Sequence, residues 1–223
     1  MEESAVPNPV VSLLYVWVTR ILGMEDGLIV NSLFETIQGE GPLTGYPAVF
    51  LRLSGCVLRC TFCDTEYASG DRIDLNELVE HLQSLSSRLL VITGGEPLRQ
   101  GSVGQLINTL GINWKIQIET SGAVCHPHII PFLERCMVVC SPKTGKVQPI
   151  ISEKAFCWKY VLEADKVDTD GLPVGVAKPY NSNIWVGPCW DQHYSENLKA
   201  AIHSCQTFGY RLNVQVHKYI QVP

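Results

Sequence analysis

Eight short apolar or β-branched runs recur along this chain, and several are separated by segments whose apolar residues repeat at helical spacing. The runs are Leu28 to Phe34, Ala48 to Leu53, Leu89 to Thr93, Lys115 to Glu119, Met137 to Cys140, Cys157 to Val161, Ile184 to Val186 and Leu212 to Val216. Between them, Leu75, Leu78, Val79 and Leu82 share one helical face. Val103, Leu106, Ile107 and Leu110 share a second, and Leu198, Ile202 and Cys205 a third. Strand and helix in alternation predict an α/β fold with a mainly parallel sheet, a barrel or part of one, and chemistry at the carboxyl ends of its strands.

Composition narrows the class. Hydrophobic residues make up 46% and charged residues 17% of the 223, which excludes a disordered chain. A net charge of -5, from 17 Lys+Arg against 22 Asp+Glu, gives no bulk attraction for nucleic acid or an anionic membrane, so neither is expected as a partner. Nine cysteines are too few for a disulfide scaffold and point to a reducing, cytoplasmic setting in which thiols serve as ligands. Residues 1-27 read as an N-terminal extension. Their apolar stretch from Val10 to Val18 is too short to span a bilayer, and Glu2 and Glu3 stand where a signal peptide is basic. Residues 28-223 then read as a single domain.

Two segments carry the chemistry. Cys56, Cys60 and Cys63 follow an apolar strand at offsets of four and three residues. Three thiolates can hold three irons of a cubane cluster and leave the fourth open. The spacing also fits one buried face of a helix, or part of a zinc site. Gly55 before the run, and Thr61, Asp64 and Thr65 within or after it, disfavour a helix, and no fourth Cys or His lies nearby in sequence. The second segment, Thr93-Gly94-Gly95-Glu96-Pro97, ends a buried strand in paired glycines. There a ligand's amino and carboxylate groups can approach the backbone, and Glu96 can accept from an ammonium; an ordinary strand-to-helix turn is the alternative.

Taken together, a CxxxCxxC loop and a strand ending in GGEP resemble the radical S-adenosylmethionine superfamily. Gln38-Gly39-Glu40-Gly41, Arg52-Leu53-Ser54-Gly55-Cys56, Cys63-Asp64-Thr65, Glu119-Thr120-Ser121-Gly122, Ser141-Pro142-Lys143 and His217-Lys218 make the set similar to the 7-carboxy-7-deazaguanine synthase family, from about Leu28 to Pro223. The resemblance implies an incomplete (β/α) barrel, a [4Fe-4S] cluster on Cys56, Cys60 and Cys63, S-adenosylmethionine, and magnesium at Thr65. It also implies a homodimer and a flavodoxin- or ferredoxin-type reductant.

The implied reaction is radical ring contraction of 6-carboxy-5,6,7,8-tetrahydropterin with loss of ammonia. The radical comes from the cofactor, so no catalytic side chain is expected. Phe62, Cys63, Asp64, Gly95, Glu96, Ser141, Pro142 and Lys143 match positions near S-adenosylmethionine. Ile37, Gln38, Gly39, Glu40, Arg52, Thr93, Glu119, His217 and Pro223 match positions near the substrate. Arg52 suits a bidentate clamp on the pterin carboxylate, and the carboxylates, amide and hydroxyl of Glu40, Glu119, Gln38 and Thr93 suit the donor-rich edge of an aminopyrimidine.

One departure is visible: Gly187-Pro188 stands where relatives often carry Gln-Pro, which puts an adenosine contact from this loop in doubt. The rival readings are a glycyl-radical activating enzyme and a noncatalytic iron-sulfur carrier. The first often adds a second cysteine cluster, absent here between Thr65 and Gly94, and the second has no use for GGEP.

Overall fold

The computed structural model describes residues 27–60, 63 and 65–223, so residues 1–26 of the N-terminal extension, Phe62 and Asp64 lie outside the described residues, and Gly27 belongs to the first strand. Nine strands form one sheet in the order β3-β1-β2-β4-β5-β6-β7-β8-β9. They are β1 (Gly27–Ile37), β2 (Pro47–Leu53), β3 (Asp71–Asp74), β4 (Leu89–Gly94), β5 (Lys115–Thr120), β6 (Cys136–Cys140), β7 (Ala155–Leu162), β8 (Ile184–Pro188) and β9 (Arg211–Leu212). From β2 through β4 to β9 every pairing is parallel, while β1 pairs antiparallel with both β2 and β3. Among the described residues no pairing joins β3 to β9, so the barrel is open, as expected.

Alternation along the parallel strands sorts residues to two faces. The outer set, Val49, Leu51 and Leu53 of β2, Leu90 and Ile92 of β4, Ile116 and Ile118 of β5, and Trp158, Tyr160 and Leu162 of β7, belongs to the main core. Helices α1 (Leu75–Ser84) and α2 (Ser102–Leu110) bury the two faces their spacing predicts in that same core. Asp74 caps α1, its Oδ1 accepting from the backbone N–H of Asn76 at 2.8 Å. The opposite face begins with a small apolar cluster, Leu43, Ala48, Leu89 and Val91, with Phe50 and Met137 against it. Two residues further along each strand the same face turns polar. Phe50 leads to Arg52, Val91 to Thr93, Gln117 to Glu119 and Cys157 to Lys159. The fold therefore closes one end of the barrel with side-chain packing and lines the other with charge.

Two expectations need correction, and one strand was not expected. Leu212 to Val216 is not a strand: β9 has only two residues, and the segment leaves the sheet for the short helix α5 (Val216–Ile220). Helix α4 (Tyr194–Phe208) buries Asn197, Ala201 and Ser204, whereas Ile202 is exposed. The inward face is one residue back from the apolar series because Asn197 is needed inside. Its Oδ1 accepts from the Ala164 N–H at 2.8 Å and its Nδ2 donates to the Cys189 carbonyl at 3.1 Å. Strand β3, Asp-Arg-Ile-Asp, carries no β-forming run and exists through its pairing with β1. The remaining helix, α3 (Pro149–Lys154), connects β6 to β7.

Leu90, fully buried under the helices, should cost about 2 to 5 kcal/mol when replaced by Ala. Ile112→Ala, at a position 93% exposed, should stay within about 0.5 kcal/mol in the same denaturant titration.

Candidate active site

A cavity of about 400 Å³ opens at the carboxyl ends of the parallel strands. Its wall gathers Ile37, Gln38, Glu40, Arg52, Thr93, Glu119, His217 and Pro223 with Cys56, Cys60, Cys63, Thr65, Gly95, Ser141 and Lys143. Residues spread over nearly the whole described chain therefore meet in one place. Gly39 and Pro142, next to lining residues, are not themselves in the wall.

The floor holds an ion-pair triad. Lys159 on β7 donates to Glu40 Oε2 at 2.6 Å and to Glu119 Oε2 at 2.7 Å, with its side chain only 10% exposed. Gln215 donates to Glu40 Oε1 at 2.6 Å, and Gln117 to Glu119 Oε1 at 2.6 Å. Burial alone would raise the Glu40 carboxyl. The Lys159 ammonium, together with the Gln215 hydrogen bond and His217, instead holds it down at about 2. Burial works against the Lys159 ammonium, yet Glu119 and Glu40 push its proton affinity well above the ordinary lysine range. The chemical result is a pair of ionised acceptors facing the cavity with one fixed cation between them.

On the other wall the cysteine loop is pinned by its backbone. The Gly55 N–H donates to the Tyr67 carbonyl at 2.7 Å, and the Cys63 N–H to the Cys60 carbonyl at 3.3 Å. The paired glycines press against this loop. Gly95 donates to the Leu53 carbonyl at 2.9 Å, and a Cβ at Gly95 would lie 2.1 Å from the Gly55 oxygen, so no side chain fits there. Among the described residues no three His, Cys, Asp or Glu side chains converge as a metal-binding group. The Cys60 thiol is raised by burial and further by the Cys63 and Cys56 sulfurs, against the pull of Lys143. A cationic iron cluster held by the three sulfurs would relieve that opposition at Cys60. Lys143 donates to Ser141 Oγ at 2.6 Å; burial and the nearby Lys159 lower its proton affinity, opposed by Cys60, Glu40 and Glu119.

Glu96 does not face the cavity. It is fully buried, and its carboxylate is occupied by the chain itself: Oε1 accepts from the Leu98 N–H at 3.2 Å and from Thr120 Oγ1 at 2.7 Å, and Oε2 accepts from the Ser121 N–H at 3.0 Å. These bonds are made within the chain, and a contact from Glu96 to an ammonium stays what the resemblance implies. Its work is to tie the end of β4 to the Thr120-Ser121 turn, which puts both hydroxyl residues on the cavity wall.

The C-terminal segment folds over this site. The Val216 N–H donates to the Gly39 carbonyl at 3.0 Å, and the His217 ring covers Gly39 so closely that a Cβ there would overlap its Nδ1. Thr36 Oγ1 donates to the Pro223 carbonyl at 3.0 Å. Gly187 is explained by the same segment: a Cβ there would lie 2.0 Å from the Asn213 carbonyl, while Asn213 Oδ1 accepts from the Gly41 N–H at 2.6 Å. The His126 and His128 rings pack edge to face, with centroids 4.8 Å apart, and neither lines this cavity.

Sequence reasoning missed Lys159, Gln117, Asn213 and Gln215. For Lys159 a signal existed, since it is the single charge in Ala-Phe-Cys-Trp-Lys-Tyr-Val-Leu, a strand buried on both sides.

Residues 51–144 match the model of the Radical SAM superfamily. A curated 7-carboxy-7-deazaguanine synthase from Rhodospirillum rubrum is 38% identical, with 90% of this chain and 94% of that protein covered. The chain belongs to the 7-carboxy-7-deazaguanine synthase family. The synthase from Rickettsia prowazekii is 34% identical over 87% of this chain and 88% of its own. The crystal structure of QueE from Escherichia coli superposes with a TM-score of 0.65 at 26% identity, covering 86% of this chain and 96% of that one. The open, mainly parallel sheet is thus the fold of this synthase family.

The triad should show in the acid limb of stability. Glu40 is held near 2 when folded against an ordinary 4.5, so its contribution is complete above about pH 5 and is lost as pH falls from 4.5 towards 2, where the unfolded chain takes up the proton first. Glu40→Gln should remove about one proton from that slope, roughly 1.4 kcal/mol per pH unit. An unchanged acid limb in chemical denaturation across that window would show that Glu40 is not held ionised.

Proposed function

We propose that this chain is a 7-carboxy-7-deazaguanine synthase. It contracts 6-carboxy-5,6,7,8-tetrahydropterin to 7-carboxy-7-deazaguanine with loss of ammonia. The observation that carries the reading is one cavity whose wall joins the three-cysteine loop and the paired glycines to a buried Glu40-Lys159-Glu119 floor. A chain of this family uses a [4Fe-4S] cluster and S-adenosylmethionine, which when bound supply the 5'-deoxyadenosyl radical that takes hydrogen from C6 of the pterin.

The chain's own residues bind and orient. Cys56, Cys60 and Cys63 hold the cluster, and Gly95, Ser141 and Lys143 border the S-adenosylmethionine space. Phe62, Asp64 and Pro142 complete that border by resemblance alone. Arg52, whose guanidinium lies 4.9 Å above the Phe34 ring, is fixed in direction by that stacking and presents its fork to the pterin carboxylate. Glu40 and Glu119 accept from the aminopyrimidine edge, with Gln38 and Thr93 beside them, and Ile37 supplies an apolar contact. His217, Gly39 and Pro223 close the site and exclude water. Thr65 offers a hydroxyl oxygen for magnesium. Residues 28-223 act as one catalytic domain. The working form is a cytoplasmic homodimer reduced by a flavodoxin- or ferredoxin-type protein; among the described residues no helix is long and apolar enough to cross a membrane.

The test is an anaerobic assay of cluster-loaded protein with the carboxypterin, S-adenosylmethionine and magnesium. Formation of the deazaguanine and ammonia is expected; cofactor cleavage with no deazaguanine would refute the reading. In that assay Arg52→Lys should raise the KM for the pterin and release 5'-deoxyadenosine without product, because a point charge does not reproduce a two-bond clamp. Thr65→Val should flatten the response to added magnesium with the cluster intact, while Thr65→Ser keeps it. A wild-type magnesium titration in Thr65→Val would exclude Thr65 as the ligand.

A further inference from the structure

Both carboxylates on the cavity floor are acceptors only, and a pterin ring offers them only part of what they can read. Its pyrimidine edge carries an amino group and a ring N–H, which suit Glu40 and Glu119, and a carbonyl oxygen, which does not. The floor has one group of the right kind. Lys159 projects from the face of β7 that also carries Cys157 and Val161 and lies in the cavity wall. Its ammonium has three protons; two go to Glu40 at 2.6 Å and Glu119 at 2.7 Å, and the third is left to the cavity.

We propose that Lys159 determines specificity by donating this third proton to the ring carbonyl of the substrate, selecting 4-oxo pterins over their 4-amino counterparts. The proposal rests on the pterin reading above and deepens it. Two observations support it beyond proximity. The ammonium is fixed on both sides by charged partners, so its donor direction is set before the ligand arrives, which lowers the cost of ordering. An ammonium also has no acceptor, so it cannot turn to meet an amino group in the way a side-chain amide can. A 4-amino ring would place donor against donor in a water-poor site, and mismatches of that kind discriminate strongly.

The experiment measures binding rather than turnover. Cluster-loaded wild-type protein and Lys159→Met, Lys159→Gln and Lys159→Arg variants are titrated calorimetrically, without oxygen, with 6-carboxytetrahydropterin and with its 4-amino analogue. Loss of a charge-assisted hydrogen bond should weaken the 4-oxo ligand about 10- to 100-fold in Lys159→Met and leave the 4-amino ligand less affected. Lys159→Gln should lower the ratio of the two affinities about 10-fold, because its amide can present oxygen to the amino group, while the N3–H that the 4-amino ligand lacks leaves the carboxylates a residual preference. Lys159→Arg, which keeps charge and donors, should retain the preference. General damage to the fold moves both ligands together and does not change their ratio, and if Lys159→Met fails to fold, the Gln and Arg variants still decide. A wild-type ratio in Lys159→Gln, with the carboxypterin still bound and converted by wild type, overturns the role of Lys159 alone and moves carbonyl recognition to another donor such as the Gln38 amide, whose Nε2 is buried without a partner. If wild type binds neither pterin while still binding S-adenosylmethionine, the functional reading fails and this inference with it.

Discussion

The interaction on which this structure depends is the burial of three charges on the floor of an otherwise apolar barrel. Removing charges from water is expensive, and mutual attraction offsets that cost only when geometry is close and the remaining oxygens are satisfied. Lys159 meets the first condition with two contacts below 3 Å, and Gln117 and Gln215 meet the second. Those partners come from the loop after β1, from β5, from β7 and from the C-terminal segment. Satisfying one ammonium therefore fixes the relative position of four remote pieces of chain, and the cavity is what lies above them.

The same economy of position governs the opposite wall. Gly94 and Gly95 permit β4 to run against Leu53 and Gly55, and Glu96 anchors the following turn from beneath. A charged residue in a motif is easily read as a ligand contact. Here burial raises its carboxyl while Ser121, Thr120 and two backbone N–H groups draw it back, so the same carboxylate also holds the fold.

Much of this was legible from residues alone. Strands β2 and β4 to β8 announce themselves as apolar runs because a parallel sheet is buried on both faces. Helices α1 and α2 show through spacing, and cysteine and glycine motifs fall at strand ends, where an α/β barrel puts its chemistry. What stayed hidden depended on tertiary partners. Strand β3 has no pattern of its own, α4 turns inward on an asparagine whose value lies in distant backbone groups, and Asn213 and Gln215 are ordinary polar residues until the chain returns to Gly41 and Glu40. Lys159 is the instructive miss, since a lone charge inside a strand of Trp, Tyr, Val and Leu is costly wherever it goes and so has a reason to be there.

The stitch between Gln215 and Glu40 crosses 175 positions of sequence, and the His217 cover over Gly39 is of similar reach. Contacts this non-local form late, after the local strands and helices have paid their own ordering entropy. The cover of the cavity is thus the part of the site held by the fewest local contacts, and opening it costs only the few bonds that the last residues make to the loop after β1.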